Sequence, residues 1–169
     1  MLTWFLKHEL NFNKMDSIIK RNKSNFIWLR NDKVLGNLSF SGNSNLEAQI
    51  KISDTELYEV KPYGWFGQKI KITKDSNTIC ELKSTFWQSK MIISFKKEKY
   101  ILSSKGFFSN FFVLKDEKSE ILFELRFSRN INNFKAVINH KNHNKEISDL
   151  VKMLAVYGAI NITKSNYQS

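Results

Sequence analysis

One segment near the end of the chain constrains the fold more than any other feature. Residues 147–162 read ISDLVKMLAVYGAINI, and from residue 150 to 160 the only charged side chain is Lys152. Ser148 can cap the first turn of a helix, and Asp149 stabilises that turn against the helix dipole, so the segment predicts a helix. A helix that is apolar on every side has to be buried on every side. The rest of the chain must therefore enclose it.

The predicted helix is too short to cross a membrane. Residues 150–160 rise about 16 Å along a helix, which is roughly half the thickness of a bilayer core. Inside a barrel, Gly158 would allow a wall strand to approach closely, because it has no side chain. Tyr157 is expected to direct its hydroxyl toward a polar partner or the barrel mouth.

The residues before this segment carry the pattern of short antiparallel strands. Three blocks share one design, an apolar run, a charged turn and a second apolar run: IKITKDSNTICEL, IISFKKEKYILS and FFVLKDEKSEILFEL. The same pattern continues in SNFIWLRNDKVLGNLSF, LEAQIKIS, ELYEVKP and FKAVINH. In the first block Ile70 and Ile72 alternate with lysines, a period of two that places the isoleucines inside and Lys69 and Lys71 outside. Short runs joined by polar turns are typical of a sandwich or a barrel.

Aromatic pairs recur between these blocks with a period of 21 residues. The pairs are Trp65-Phe66, Phe86-Trp87 and Phe107-Phe108. Such a period also suggests a solenoid, but three copies without a leucine ladder fit successive hairpins better. We expect the pairs to lie in the longer connections, where each covers one end of the core.

The predicted fold is mainly β, a closed antiparallel β-barrel of about twelve strands that encloses the hydrophobic C-terminal α-helix. The 169 residues, of which 41% are apolar, suffice for one domain with a sizeable core. We therefore predict a single domain over residues 1–169, with strands in about 1–140 and the central helix at about 147–162.

The chain is strongly basic, with 27 Lys and Arg against 16 Asp and Glu and a net charge of +11. A positive charge of this size favours anionic partners such as a phospholipid surface or nucleic acid. However, 23 of the 27 cations are Lys and the chain holds 18 Asn, so solvated lysine-rich faces are an alternative explanation. Arg, which suits base and phosphate recognition, is scarce, and nucleic acid is therefore the less favoured partner.

Few residues suggest catalysis, and we predict no enzyme activity, no cofactor and no metal. Cys80 is the only cysteine and lies in a predicted strand, where it acts as a small buried hydrophobe. His140 and His143 lie in NHKNHNK, which is typical of an exposed turn. The carboxylates in 116–120 lie in a charged turn and are expected to be solvated. Nucleophile-elbow and phosphate-loop motifs do not occur in the sequence.

The compartment is predicted from the same features. A lone cysteine fits a reducing compartment. LTWFL at the start is apolar, but no positive charge precedes it and Lys7 follows, so a secretory signal is not expected. We expect a cytoplasmic protein that contacts the inner membrane surface peripherally.

The succession of strands, the segment PYGWFGQKIKI and the terminal LVKMLAVYGAI together resemble the tubby C-terminal-like superfamily, which includes the LURP-one-related proteins and the phospholipid scramblases. The resemblance spans nearly all of the chain. It implies a closed barrel threaded by a hydrophobic C-terminal helix. It also implies contact with phosphoinositide headgroups through basic wall residues, for which Lys69 and Lys71 in QKIKI are the nearest match.

Two functional hypotheses follow. The first is a non-enzymatic binding or scaffold module that meets anionic phospholipid headgroups, or a protein partner, through lysines on the outer wall. Its candidate residues are Lys69, Lys71, Lys96, Lys97 and Lys99, with a further basic run at Lys20–Lys23. The alternative is a barrel that binds single-stranded nucleic acid through lysines and exposed aromatics such as Trp65, Trp87 and Phe107.

Overall fold

The computed structural model of the protein shows a closed barrel of twelve antiparallel strands and one helix, which confirms the predicted fold class. It describes residues 16–20, 22, 24–41, 46–64, 69–85, 90–106, 110–128, 135–141 and 145–168, with the backbone alone at 20 and 164–168. The strands are β1 (Asp16–Lys20), β2 (Asn25–Arg30), β3 (Lys33–Phe40), β4 (Ala48–Ile52), β5 (Glu56–Tyr63), β6 (Lys69–Lys74), β7 (Asn77–Thr85), β8 (Lys90–Phe95), β9 (Glu98–Ser104), β10 (Phe111–Asp116), β11 (Ile121–Phe127) and β12 (Lys135–His140). The helix is α1 (Asp149–Gln168).

The barrel has two distinct ends. Each strand pairs with its neighbours in the chain, and pairing of β1 with β12 closes the sheet. We call the end that carries the short turns 31–32, 53–55, 75–76, 96–97 and 117–120 the turn end. The opposite end, where β1, β3, β5, β7, β9 and β11 finish, is the loop end.

The short turns are tight without glycine. Asn31 and Asp32 have φ of 49° and 62°, and Asp75 and Ser76 have φ of 50° and 67°. Two successive residues with positive φ match the right-handed twist of the flanking strands in two-residue hairpins. Asn and Asp tolerate this conformation better than other residues with side chains. Lys96, with φ of 56°, has no such preference and holds its turn at a conformational cost.

The 21-residue period of the sequence corresponds to one hairpin of the wall. β6, β8 and β10 begin 21 residues apart, so the residues that face the interior from these strands also recur every 21 residues. One set of these buried positions is Ile70, Met91 and Phe112, and the next is Ile72, Ile93 and Leu114. The three aromatic pairs themselves lie outside the described residues. β1, for which the sequence analysis named no apolar run, completes the count of twelve.

Helix α1 fills the interior, as predicted. Every residue from 150 to 160 is buried. A Cβ atom placed on Gly158 would lie 2.6 Å from Sδ of Met91 in β8 and 3.0 Å from Cδ2 of Leu102 in β9, so the space beside this glycine is filled by two wall side chains rather than by the backbone of a wall strand. Among the described residues, no helix combines the length and the hydropathy that a bilayer crossing requires.

The direction of α1 follows from its contacts at each end. The Tyr157 hydroxyl donates to the Leu46 carbonyl at 2.5 Å, beyond the loop end, as predicted for this side chain. Its ring stacks on Phe40, with centroids 5.7 Å apart. The helix starts at Asp149, as expected, but continues to residue 168 rather than ending at 162. No Gly or Pro follows the apolar stretch to stop it.

Candidate functional site

Lys69 and Lys71 lie on the outer wall of β6, as their alternation with buried isoleucines predicts. Both are exposed. The register adds two further lysines, because Lys61 of β5 lies opposite Lys71 and Lys83 of β7 lies opposite Lys69. We call these four residues the β5–β7 lysine surface.

The like charges in this surface are poorly neutralised. Residues directly opposite each other in an antiparallel pair have Cβ atoms about 5 Å apart, and like charges there destabilise the sheet. Lys61 is paired with Glu59 at 2.7 Å, and this carboxylate raises the pKa of Lys61. Within the part of the chain that the structure describes, Lys69, Lys71 and Lys83 have no ion-pair partner.

Three glutamates border the lysine surface. Glu59 and Glu47 both act on Lys61, and Glu81 lies opposite Lys71. Glu81 is also close to the hydroxyl of Tyr63, whose pKa is raised by burial and by this carboxylate. The four lysines of the surface against these three glutamates leave a small excess of positive charge, so the surface attracts anions.

The structure separates the other predicted lysines from this surface. Lys96 and Lys97 form the turn between β8 and β9, at the turn end. Lys99 is exposed on β9, and its Nζ lies 4.0 Å from Glu117. Lys69 begins β6 at the opposite end of the barrel, so the five candidates form two groups rather than one site. Of the run 20–23, residues 21 and 23 lie outside the described residues.

No protein-family model, curated protein or solved structure matches this chain. The resemblance to the tubby-like superfamily therefore remains a prediction from the sequence. The same holds for the nucleic-acid alternative, since Trp65, Trp87 and Phe107, on whose exposure it depends, lie outside the described residues.

A second cluster of charged residues lies at the turn end, where α1 enters the barrel. The Asp16 carboxylate is fully buried and accepts hydrogen bonds from Arg30 at 2.7 and 3.1 Å. His140 Nε2 lies 3.3 Å from the same carboxylate. Asp149, at the start of α1, lies 3.2 Å from Arg30 and 3.1 Å from Lys152. We call these five residues the turn-end ion cluster.

The cluster joins four elements around one carboxylate. Burial alone would raise the pKa of Asp16, but the hydrogen bonds from His140 and Arg30 and the charges of Arg30 and Lys152 outweigh it, so the pKa lies below its usual 3.8. Arg30 and Lys152 also lie 5.2 and 5.8 Å from the ring centre of the buried Trp28. These contacts link β1, β2 and β12 to the helix, which is a structural role.

His140 corrects the sequence analysis. The sequence suggested an exposed turn, whereas His140 is the last residue of β12 and has only 19% of its side chain exposed. Its partner Asp16 is 124 residues away in the chain, so local sequence gave no signal for the contact. His143 lies outside the described residues. Within the residues that the structure describes, no group of three or more His, Cys, Asp and Glu side chains could hold a metal ion.

The sequence analysis expected the carboxylates of the turn 116–120 to be solvated, and for Asp116 this prediction was wrong. Its residue is only 5% exposed, and its carboxylate accepts hydrogen bonds from the backbone N–H groups of Lys118 and Glu120, both at 3.0 Å. Lys145 lies 3.2 Å away. Burial raises the pKa of Asp116, but the hydrogen bonds and Lys145 lower it by more. The pKa therefore lies below its usual value. Cys80 is buried as expected, and burial raises its pKa to about 12, so the thiol is unreactive.

Proposed function

We propose that this chain is a non-enzymatic, tubby-like binding module whose β5–β7 lysine surface contacts anionic phospholipid headgroups at the inner face of a membrane. The observation that supports the proposal is the pairing of lysine with lysine across neighbouring strands. An arrangement that weakens the sheet is best explained by an anionic partner that compensates the charge. The resemblance of the sequence to a headgroup-binding superfamily points to the same partner.

The expected binding is weak and depends on salt. Each cation near an anionic membrane contributes about 1 kcal/mol, so the three lysines without an ion-pair partner give roughly 3 kcal/mol. This corresponds to a dissociation constant on the order of 10 mM. The attraction is screened beyond about 8 Å at physiological ionic strength, so the binding should weaken sharply as salt is added. Peripheral, reversible contact is therefore the expected mode.

Co-sedimentation with vesicles tests the proposal. Vesicles of phosphatidylcholine alone are compared with vesicles that also contain phosphatidylserine, at low and at physiological salt. The wild-type chain should sediment with the acidic vesicles at low salt only. A variant with Lys61, Lys69, Lys71 and Lys83 all changed to Gln should lose most of this binding.

A matched variant controls for net charge. Lys33, Lys97, Lys118 and Lys135 are exposed and lie outside the lysine surface. Changing these four to Gln lowers the net charge by the same amount and should leave most of the binding intact. Equal loss in both variants would mean that only total charge matters, and the proposed surface would be wrong. Binding of single-stranded oligonucleotides in preference to acidic vesicles would favour the alternative function.

A further inference from the structure

A groove of about 420 Å³ crosses the outer wall of β2, β3 and β4. Its lining includes Ile27, Val34, Leu35, Asn37, Lys51 and Asp54, and we call it the β2–β4 groove. It lies on strands other than those that carry Lys69, Lys71 and Lys83.

A β-bulge accompanies this groove. Trp28 pairs with Gly36, but the next residue of β2, Leu29, pairs with Val34, which leaves Leu35 as an extra residue in β3. A bulge of this kind bends its strand and increases the local twist. The bend contributes to the concave surface at this point, and the β6–β7 and β10–β11 hairpins carry register shifts of the same kind.

The groove and its border expose apolar surface. Val34 in the lining is 67% exposed, and Leu57, which lies opposite Lys51 on β5, is 49% exposed. These are two of the three large hydrophobic residues that are exposed in the described part of the chain. These two side chains add apolar area in and beside the concave surface that a protein partner could bury.

One polar atom in the groove lacks a partner. The side-chain amide of Asn37 donates to Ser39 Oγ at 3.0 Å, but its carbonyl oxygen is buried and accepts no hydrogen bond from the described residues. A buried acceptor without a donor costs about 1–3 kcal/mol. A partner that supplies an N–H or O–H group would remove this cost.

The charges of the groove identify which partner fits. Lys51 and Asp54 lie 3.4 Å apart in its lining, and the Asp54 side chain is fully exposed. A protein with a net charge of +11 repels its own copies over most of its surface. The groove, with one cation and one anion, is a neutral face where two copies can meet. It is also self-complementary, since a two-fold axis would bring Lys51 of one copy to Asp54 of the other.

We propose that the β2–β4 groove is a two-fold self-association interface. Val34 of each copy enters the groove of the other, and Lys51 of each copy pairs with Asp54 of the other. Asn25 and Ser53, which also line the groove, carry donors that can reach the other copy's Asn37. The inference does not rest on the lysine surface, because association is measured in solution without lipid.

Sedimentation velocity over a range of concentrations tests this interface. The wild-type chain should shift from one chain toward two as concentration rises. Val34→Lys should abolish the shift without unfolding the protein, because Val34 is exposed. K51D and D54K should each lose the dimer alone. An equimolar mixture of K51D and D54K should associate, because the two acids of one copy then face the two lysines of the other. An ion pair within one chain could not restore association in this mixture.

Matched variants elsewhere on the barrel serve as controls. Ile121→Lys changes the third exposed hydrophobic residue, which is 36% exposed on β11. K99D and E117K alter another exposed ion pair. These variants should associate as the wild type does, and a mixture of K99D and E117K should gain nothing over it. The proposal is overturned if the wild type stays monomeric at every concentration, or if Val34→Lys and the mixture of K51D and D54K both behave like the controls.

Discussion

Asp16 is the single residue whose replacement we expect to cost the most stability. It is fully buried, and its carboxylate holds Arg30 of β2, His140 of β12 and Lys152 of α1. Asp16→Asn removes one of the two carboxylates that face Arg30 and Lys152 and leaves Asp149 as the other, so the free energy of unfolding should fall by about 1.5–3 kcal/mol. Urea unfolding at neutral pH measures this. Asp75→Asn, at an exposed turn position outside both proposed surfaces, is the control and should change stability by less than about 0.5 kcal/mol.

The same carboxylate predicts a dependence of stability on pH. Its folded pKa lies below the unfolded value of about 3.9, so the stabilisation is present in full above that pH. It is lost as the pH falls through the folded pKa, which is below 3.8. The difference in unfolding free energy between wild type and Asp16→Asn should therefore not shrink between neutral pH and about 5, and should shrink below about 4. A difference that already shrinks between pH 7 and 6 would contradict this account.

Some residue roles could be predicted from the sequence and others could not. The buried state of Cys80, Tyr157 and Gly158 follows from the local pattern of a strand or a helix. The partners of Asp16 do not, because they lie 14 residues away at Arg30 and 124 away at His140. A contact between distant segments depends on the register of the closed sheet, which local patterns do not encode.

At the scale of elements, the fit between α1 and the wall depends on the missing side chain at Gly158. Gly158→Leu should force Met91 and Leu102 apart, because even a Cβ atom would lie within 3.0 Å of both. Overpacking of this kind costs about 1–3 kcal/mol, partly offset by about 1 kcal/mol from the better helix propensity of Leu. Thermal unfolding should show a lower midpoint. Thr163→Leu, at a half-exposed position of the same helix, should change it little; an equal loss there would argue against the contact.

The strands were predictable to the extent that their side chains alternate. β6, with buried Ile70 and Ile72 between exposed lysines, follows the pattern directly. β1 reads DSIIK, whose two apolar residues are adjacent and show no alternation, and its place in the sheet comes from pairing with both β2 and β12. The end of α1 was predicted six residues early, because the apolar pattern ends at Ile162 while the hydrogen-bonded helix continues.

At the scale of the molecule, α1 is the core of the barrel rather than an addition to it. About ten enclosed apolar side chains contribute on the order of 15–30 kcal/mol before chain entropy is subtracted. Removing residues 147–169 should therefore give an insoluble or molten product, with loss of near-ultraviolet circular dichroism and of a cooperative thermal transition. A chain that ends after Thr163 keeps every residue of the helix that the structure describes as buried and should retain the transition. An unchanged transition without residues 147–169 would show that the helix is peripheral.

The β5–β7 lysine surface was only partly predictable at this scale. Lys69 and Lys71 follow from alternation along one strand. Lys61 and Lys83 join them through the register of β5 and β7, to which no sequence motif corresponds. In the sequence, Lys96 could not be distinguished from Lys69 and Lys71 as a candidate. The structure places it in the turn between β8 and β9, at the opposite end of the barrel from Lys69.

The position of the bound membrane tests the central functional claim most directly. We suggest recording amide signals of the chain with acidic lipid nanodiscs that contain a nitroxide-labelled lipid, because the label broadens the signals of residues near the bilayer. The account predicts the strongest broadening at Lys61, Lys69, Lys71 and Lys83, and little at the turn 96–97. Broadening centred on that turn, or spread evenly around the barrel, would contradict it.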